Sequence, residues 1–197
     1  MQTRRRQIED VASTLFSSRG YAATSMRDIA RALDLQGGSL YAHIPSKEAV
    51  LAAIVDEAAE EFHAAVRPIA ERRGPAPDRL REMVAAHIRV VTGGRERAKV
   101  FLFEWTFLGE ERRQAVTRSR AAYQGYFEQV VAQGMAAGEF GASDQKLSAV
   151  FVLSAMNAMA YWYRPDGPLG PDALAGHYAD LFLEGLRGTT TSQEMAR

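Results

Sequence analysis

The stretch from Thr24 to Lys47, TSMRDIARALDLQGGSLYAHIPSK, constrains the fold more than any other part of the chain. Met26, Ile29, Ala30 and Leu33 fall at i, i+3, i+4 and i+7, which puts one apolar stripe on a short helix. Thr24 or Ser25 can cap its first turn, and Ser25 with Asp28 three residues on has the spacing of a capping box. Asp34-Leu35-Gln36-Gly37-Gly38 breaks the pattern with turn formers. Leu35, Leu40 and Ile44 form a second apolar set, and Pro45 stops it because proline cannot continue a helix. Ser46 then caps a third helix beginning at Lys47-Glu48. Two helices of about two turns joined by a glycine-containing turn have the arithmetic of a helix-turn-helix.

A helix that enters a DNA major groove about 12 Å wide must be slim. Gly37, Gly38, Ser39 and Ala42 keep the second helix, residues 37–43, slim enough for Gly37, Gly38 and Ala42 to approach base edges, with Gln36 and Arg27 as side-chain readers. Thr24, Ser25, Ser39, Tyr41, His43 and Lys47 supply the hydroxyls and cations that hold phosphates and set register. Arg4, in the run Arg4-Arg5-Arg6 before the first helix, can reach a phosphate or the minor groove; a solvated terminal run is the alternative. The competing reading of the whole stretch is a helical hairpin with solvated polar groups.

Gly20-Tyr21, Thr24-Ser25-Met26-Arg27-Asp28-Ile29-Ala30, Gly38-Ser39-Leu40-Tyr41 and His43-Ile44-Pro45-Ser46-Lys47-Glu48 together resemble the N-terminal domain of the TetR family of bacterial transcriptional repressors. Two departures are Ile44, where the family usually has Phe, and Gly37, where a longer polar side chain is common. The second removes base reading by a side chain at that position. The resemblance implies an all-α fold of about nine helices. It implies a three-helix DNA-binding head over residues 1–46 and a helical ligand-binding and dimerisation domain over residues 47–187. Residues 188–197, GTTTSQEMAR, read as a frayed, disordered polar tail.

Composition excludes more than it assigns. Among 197 residues, 24 Lys and Arg balance 24 Asp and Glu, so global charge says nothing about nucleic acid. Residues 1–50 hold seven basic against five acidic side chains, a mild asymmetry. There is no cysteine, hence no disulfide framework and no thiolate site. No apolar run approaches the roughly 20 residues that span a bilayer, and the N-terminus lacks a signal-peptide core. A cytoplasmic protein without a membrane partner is expected.

Ile8, Val11, Ala12, Leu15 and Phe16 mark a helix over about residues 4–18, ended by Arg19-Gly20. From Lys47 an apolar pattern runs to Pro68, forming a lever between the two halves, and Arg72-Arg73-Gly74-Pro75-Ala76-Pro77 reads as a linker. Asp78 is expected to cap a helix ending at Thr92-Gly93-Gly94. Val100 to Leu108 is apolar all round, so a central helix is expected. A long helix follows from Glu110 to Ala137, and Ser143-Asp144 caps another that continues to Trp162. Pro165-Asp166-Gly167-Pro168 stops it, and Pro171-Asp172 opens the last helix. The last two long helices are apolar on more than one face, which predicts a homodimer through a four-helix bundle.

Catalytic signatures are missing: there is no HExxH, GxSxG, GxGxxG or P-loop. His43, His63, His87 and His177 lack metal-ligand spacing, and the last three are expected to be solvated or packed polar groups. No catalytic residue, metal or cofactor is expected, and an all-helical enzyme is the disfavoured reading of another class. A small-molecule effector cavity is expected among Phe101, Phe103, Trp105, Phe107, Tyr123, Tyr126, Phe127, Met156, Asn157, Met159, Trp162, Tyr163 and Arg164, since sites between bundle helices are mostly apolar with a few polar groups. The string Trp162-Tyr163-Arg164-Pro165-Asp166-Gly167-Pro168-Leu169, with Tyr178 beyond, resembles TetR-family repressors of fatty-acid, sterol and aromatic-acid degradation that acyl-CoA thioesters release from DNA. That resemblance implies an acyl-CoA effector, for whose phosphates Arg112, Arg113, Arg118, Arg120 and Arg164 are candidates; a solvated basic face is the alternative. The expected function is a dimeric ligand-responsive repressor of double-stranded inverted-repeat operators, with an efflux-pump regulator sensing hydrophobic drugs as the alternative.

Overall fold

The computed structural model describes residues 3–35 and 40–187, and every regular element among them is helical. Helix α1, Arg4–Arg19, starts where the Thr3 hydroxyl accepts the Arg6 amide and ends at Gly20, whose φ of 86° suits a residue without Cβ. Helix α2, Met26–Ala32, carries the capping box read from the sequence: the Ser25 hydroxyl accepts the Asp28 amide, and the Asp28 carboxylate accepts the Ser25 amide. Gln36, Gly37, Gly38 and Ser39, on which most of the second helix of the motif was expected, lie outside the described residues; Leu40 and Tyr41 form a last helical turn before Pro45. Ile8, Ala12, Phe16, Ile29, Leu40 and Ile44 are buried together, so neither short helix has to stand alone.

Helix α3, Lys47–Glu71, begins at Ser46, whose hydroxyl accepts the Ala49 amide. It runs past the expected stop, with Pro68 inside the helix. One amide is lost there, but Val66 and Ala70 are fully buried, and Arg79 donates to the carbonyls of Ala70 and Arg72 at 3.1 Å each. Packing and the satisfied end carbonyls hold the last turn that proline alone would disfavour. Helix α4, Ala76–Gly93, corrects another expectation: Asp78 lies in the first turn and is not its cap. The Ala76 amide is instead satisfied from a distance, donating to the Glu139 carboxylate at 2.8 Å.

Helix α5, Arg95–Lys99, leads into a π-helical turn over Val100–Glu104 and a 3₁₀ turn over Trp105–Phe107. The expected central helix is thus a wide turn followed by a tight one. Val100, Phe101 and Leu102 are buried, whereas Phe107 is 50% exposed. Helix α6, Glu110–Ala136, ends before Gly138, and α7, Gln145–Asn157, is capped by Asp144. The expected continuation to Trp162 is interrupted at Ala158 and resumes only as the one-turn α8, Met159–Trp162. Helix α9, Pro171–Arg187, closes the described fold by packing along α4. The expected tail at 188–197 lies outside the described residues.

α1 packs on α2, α3 and α5, while α3, α4, α6 and α7 surround the interior of the larger bundle. α3 therefore belongs to both parts. At 1.5 Å per residue its length is about 37 Å.

Candidate functional site

The head presents one concave surface lined by Ala22, Ala23, Thr24, Ser25, Met26, Arg27, Tyr41 and Lys47. Five residues expected to meet DNA, Thr24, Ser25, Arg27, Tyr41 and Lys47, are thus neighbours. Arg27, Tyr41, Ala42 and His43 are exposed, and so is Arg4, which donates to the Gln7 side chain. Two residues have internal tasks that sequence reading missed. Thr24 is buried, and its hydroxyl donates to the Gly20 carbonyl at 2.9 Å. Lys47 donates to the carbonyls of Tyr21 and Thr24 at 3.0 and 2.8 Å, with its ammonium 4.2 Å from the Tyr21 ring centre. Two of its three donors therefore hold the loop between α1 and α2, where an open hand toward phosphate was expected. Gln36, Gly37, Gly38 and Ser39 lie outside the described residues.

The body contains a cavity of about 280 Å³. α3 contributes Ala59, Phe62 and His63, and α4 contributes His87. The π turn adds Phe101 and Leu102; α6 adds Ser119, Arg120, Ala121, Tyr123 and Gln124; α7 adds Val150, Leu153, Ser154 and Asn157. Of the residues expected to bind an effector, Phe101, Tyr123 and Asn157 line this space. Tyr126 stands behind it, with its hydroxyl 3.2 Å from His63 Nδ1. Phe127, Met156, Met159 and Tyr163 are packed core. Phe103 stacks on Tyr161 at 4.3 Å, Phe107 lies 5.3 Å from the Tyr21 ring, and Trp162 is 48% exposed. Arg164 is exposed at the end of α8 and Trp105 half-buried. Neither Arg164 nor Trp105 lines the cavity.

His63 and His87 are packed polar groups and His177 is exposed, as expected, but the first two also line the cavity. His87 occupies an apolar stripe with Leu80, Met83, Val84, Ile88 and Val91, and a titratable residue on such a stripe is the sequence signal for a buried polar site. Its Nδ1 lies 2.9 Å from the Tyr123 hydroxyl. Burial drives its pKa down to about 3, an effect the nearby Asn157 side chain opposes, so the ring is neutral at physiological pH. Burial likewise pushes the Tyr123 phenol well above its usual value. His63 completes a second pair, with Nε2 3.0 Å from Ser119 Oγ.

Charge sits at the edge of this space. The Arg120 guanidinium lies 5.7 Å from the Phe101 ring centre and 5.6 Å from that of Trp105, and burial lowers its pKa. Arg112 is paired with Asp56 at 3.4 Å, and Arg113 with Glu110. No group of His, Cys, Asp and Glu suited to a metal ion occurs among the described residues. No helix among them is long and apolar enough to cross a membrane.

The profile of bacterial regulatory proteins of the tetR family matches residues 8–54, and that of the tetracyclin repressor-like C-terminal domain matches residues 73–186. The second alone spans more than half of the chain. The chain belongs to the TetR family. It is a TetR-family transcriptional repressor, in a family of regulators and not of enzymes. It is 28% identical to the HTH-type transcriptional repressor KstR2 of Rhodococcus jostii (strain RHA1) over 185 residues, 93% of this chain and 91% of that protein. The ketosteroid transcriptional regulator KstR2 of Mycobacterium tuberculosis superposes with a TM-score of 0.90 at 25% identity, covering 96% of this chain and 97% of that one. AibR, solved in complex with isovaleryl coenzyme A and operator DNA, superposes with a TM-score of 0.81 at 28% identity, covering 93% and 98%. The TetR-family head thus carries the surface built around Arg27 and Tyr41, and its body carries the cavity.

Proposed function

We propose that this TetR-family repressor works as a homodimer on an inverted-repeat operator and is released by a coenzyme A thioester whose acyl group enters the cavity. The observation that carries the reading is Arg120, a half-buried guanidinium at the cavity edge that makes no ion pair among the described residues and rests on Phe101 and Trp105. A planar fork without a carboxylate partner suits a phosphate or pyrophosphate. Arg112 and Arg113, already paired with acids, are weaker candidates. The cavity of about 280 Å³ lies at the low end of the several hundred Å³ of small-molecule sites. It suits an acyl group, with the nucleotide outside near Arg120. AibR, a TetR-family neighbour at 28% identity, supports the same chemical class.

Two connections offer a route from cavity to head. Ala59, Phe62 and His63 belong to α3, whose first residue, Lys47, holds the α1–α2 loop. Phe101 and Leu102 belong to the turn flanked by Lys99 and Glu104, which hold the end of α1 and the Tyr21 amide. Arg97 further bridges Asp10 of α1 and Glu57 of α3 at 2.5 Å each. An acyl group pressing on both linings changes the spacing of two heads in a dimer. Each tenfold preference for the released state corresponds to about 1.4 kcal/mol. Leu147 and Phe151 on α7 and Leu181 on α9 are 66%, 67% and 70% exposed on one continuous patch, which supports pairing with a second copy through these helices.

The test uses inverted-repeat duplexes selected from random sequence. Micromolar short- and medium-chain acyl-CoA releases the protein in fluorescence anisotropy, while the free acid and free coenzyme A do not. Release by free acids or hydrophobic drugs with CoA esters inert overturns the acyl-CoA reading in favour of an efflux-type regulator. Sedimentation of wild type and Phe151→Lys/Leu181→Glu tests the dimer, the variant being monomeric; a monomeric wild type sinks that part.

A further inference from the structure

One polar chain joins α3 to α6 at the cavity wall. His63 of α3 has Nδ1 3.2 Å from the Tyr126 hydroxyl and Nε2 3.0 Å from Ser119 Oγ, both partners belonging to α6. His63 and Ser119 line the cavity and are only half-buried, so both are open to an occupant. Two other polar side chains of the lining are already spent. His87 is 1% exposed and bonded to Tyr123 and Asn157, and Gln124 donates to Glu128 at 2.7 Å.

Counting protons shows what the chain of three offers. A neutral imidazole has one N–H, and the two hydroxyls bring one proton each. Two of these protons make the two hydrogen bonds, so one is left over. It lies on Ser119 when the phenol donates to Nδ1 and Nε2–H donates to Ser119, and on Tyr126 when both bonds run the other way. Neither hydroxyl makes another hydrogen bond among the described residues. An acceptor atom in the cavity therefore draws the spare proton to Ser119.

We propose that the Ser119 hydroxyl, positioned by His63 and Tyr126, donates to the thioester carbonyl oxygen of the effector. Every acyl-CoA carries that oxygen on its acyl group, and it has no proton of its own, so it matches the arrangement with the spare proton on Ser119. In that arrangement Nε2–H donates to the hydroxyl. His63 is then no base toward it, and the contact recognises the thioester without attacking it. An occupant lacking the carbonyl leaves the Ser119 proton without an acceptor beside Phe62, Phe101 and Leu153. The inference rests on the coenzyme A reading and deepens it: Ser119 is the specificity-determining residue, and His63 and Tyr126 are positioning residues.

The experiment uses butanoyl-, hexanoyl-, octanoyl- and decanoyl-CoA, each paired with the S-alkyl thioether in which CH2 replaces the carbonyl. In calorimetry on the purified protein the tightest-binding thioester binds at least fivefold more tightly than its thioether, and in Ser119→Ala the gap falls to within about twofold. The infrared carbonyl stretch of the bound, 13C-labelled thioester lies at lower frequency in wild type than in Ser119→Ala. Equal affinity of thioester and thioether in wild type, or a gap and a frequency that survive Ser119→Ala, overturns the proposal; the wild-type comparison decides even if the variant fails to fold. Equal binding with both compounds releasing the operator sinks the carbonyl contact and leaves the coenzyme A reading standing. Binding of neither compound sinks both. A carbonyl preference without release of the operator sinks coenzyme A thioesters as effectors and leaves the contact standing.

Discussion

Lys99 Nζ lies 2.7 Å from the carbonyl oxygen of Ser17, so the segment whose Phe101 and Leu102 line the cavity also grips the last turn of α1. The ammonium meets one of the carbonyls that a helix C-terminus leaves without a partner, where a cation is favoured by the helix dipole as well. Lys99→Met removes this grip without emptying the cavity wall. We expect effector affinity to stay within about twofold, while the effector concentration needed for half-release of the operator rises at least fivefold. Calorimetry and anisotropy on one preparation check this, and parallel changes in both would show that Lys99 does not transmit.

Lys47 gives a second prediction, on the other connection. Its ammonium is held by the Tyr21 and Thr24 carbonyls. Lys47→Met is expected to lower unfolding free energy by about 1.5–3 kcal/mol, the range for hydrogen bonds to a charged group. The slope of log affinity for operator against log salt should be unchanged. A fall of about 1.8 in that slope, about 0.9 for each of the two heads of a dimer, would restore Lys47 to the phosphate contacts.

His87 makes stability depend on pH. Its folded pKa of about 3 lies below the ordinary value of 6.5, so between those values the unfolded chain binds a proton that the folded protein refuses. Its contribution is fully present above pH 6.5 and is lost as pH falls toward 3. Denaturation of wild type against His87→Gln should show wild type losing about 1.4 kcal/mol more per pH unit within that window. Parallel curves would mean that the imidazole takes up its proton as freely when folded.

Two glycines of α6 should respond with opposite signs. A Cβ at Gly125 meets nothing within 4 Å, whereas one at Gly134 would lie 2.3 Å from two Phe140 ring atoms and 2.8 Å from Ala76 Cβ. Gly125→Ala should stabilise by about 0.5–1 kcal/mol through helix propensity. At Gly134 the same gain is opposed by overpacking of about 1–3 kcal/mol, because the Phe140 ring is buried and has little room to retreat. Thermal melts of both variants check this; a raised melting temperature for Gly134→Ala would refute it.

What the sequence by itself determined is what short-range forces write: the Ser25–Asp28 capping box, the Ser46 and Asp144 caps, the stop at Gly20, and an amphipathic stripe on each long helix. Each involves residues within about one turn of one another, and the family resemblance rests on such local strings. What only the tertiary structure decided is which equivalent-looking residues do which work. Phe101 and Phe127 carry the same apolar signal, yet one lines the cavity and the other is packed core. Pro68 stays helical because Arg79 and a buried face hold the turn, and Lys47 turns inward because carbonyls 23 and 26 residues earlier stand within its reach. A cavity is a shortfall of packing among four helices and a turn. Periodicity reports which face of an element is turned away from water, but not whether the facing side chains meet.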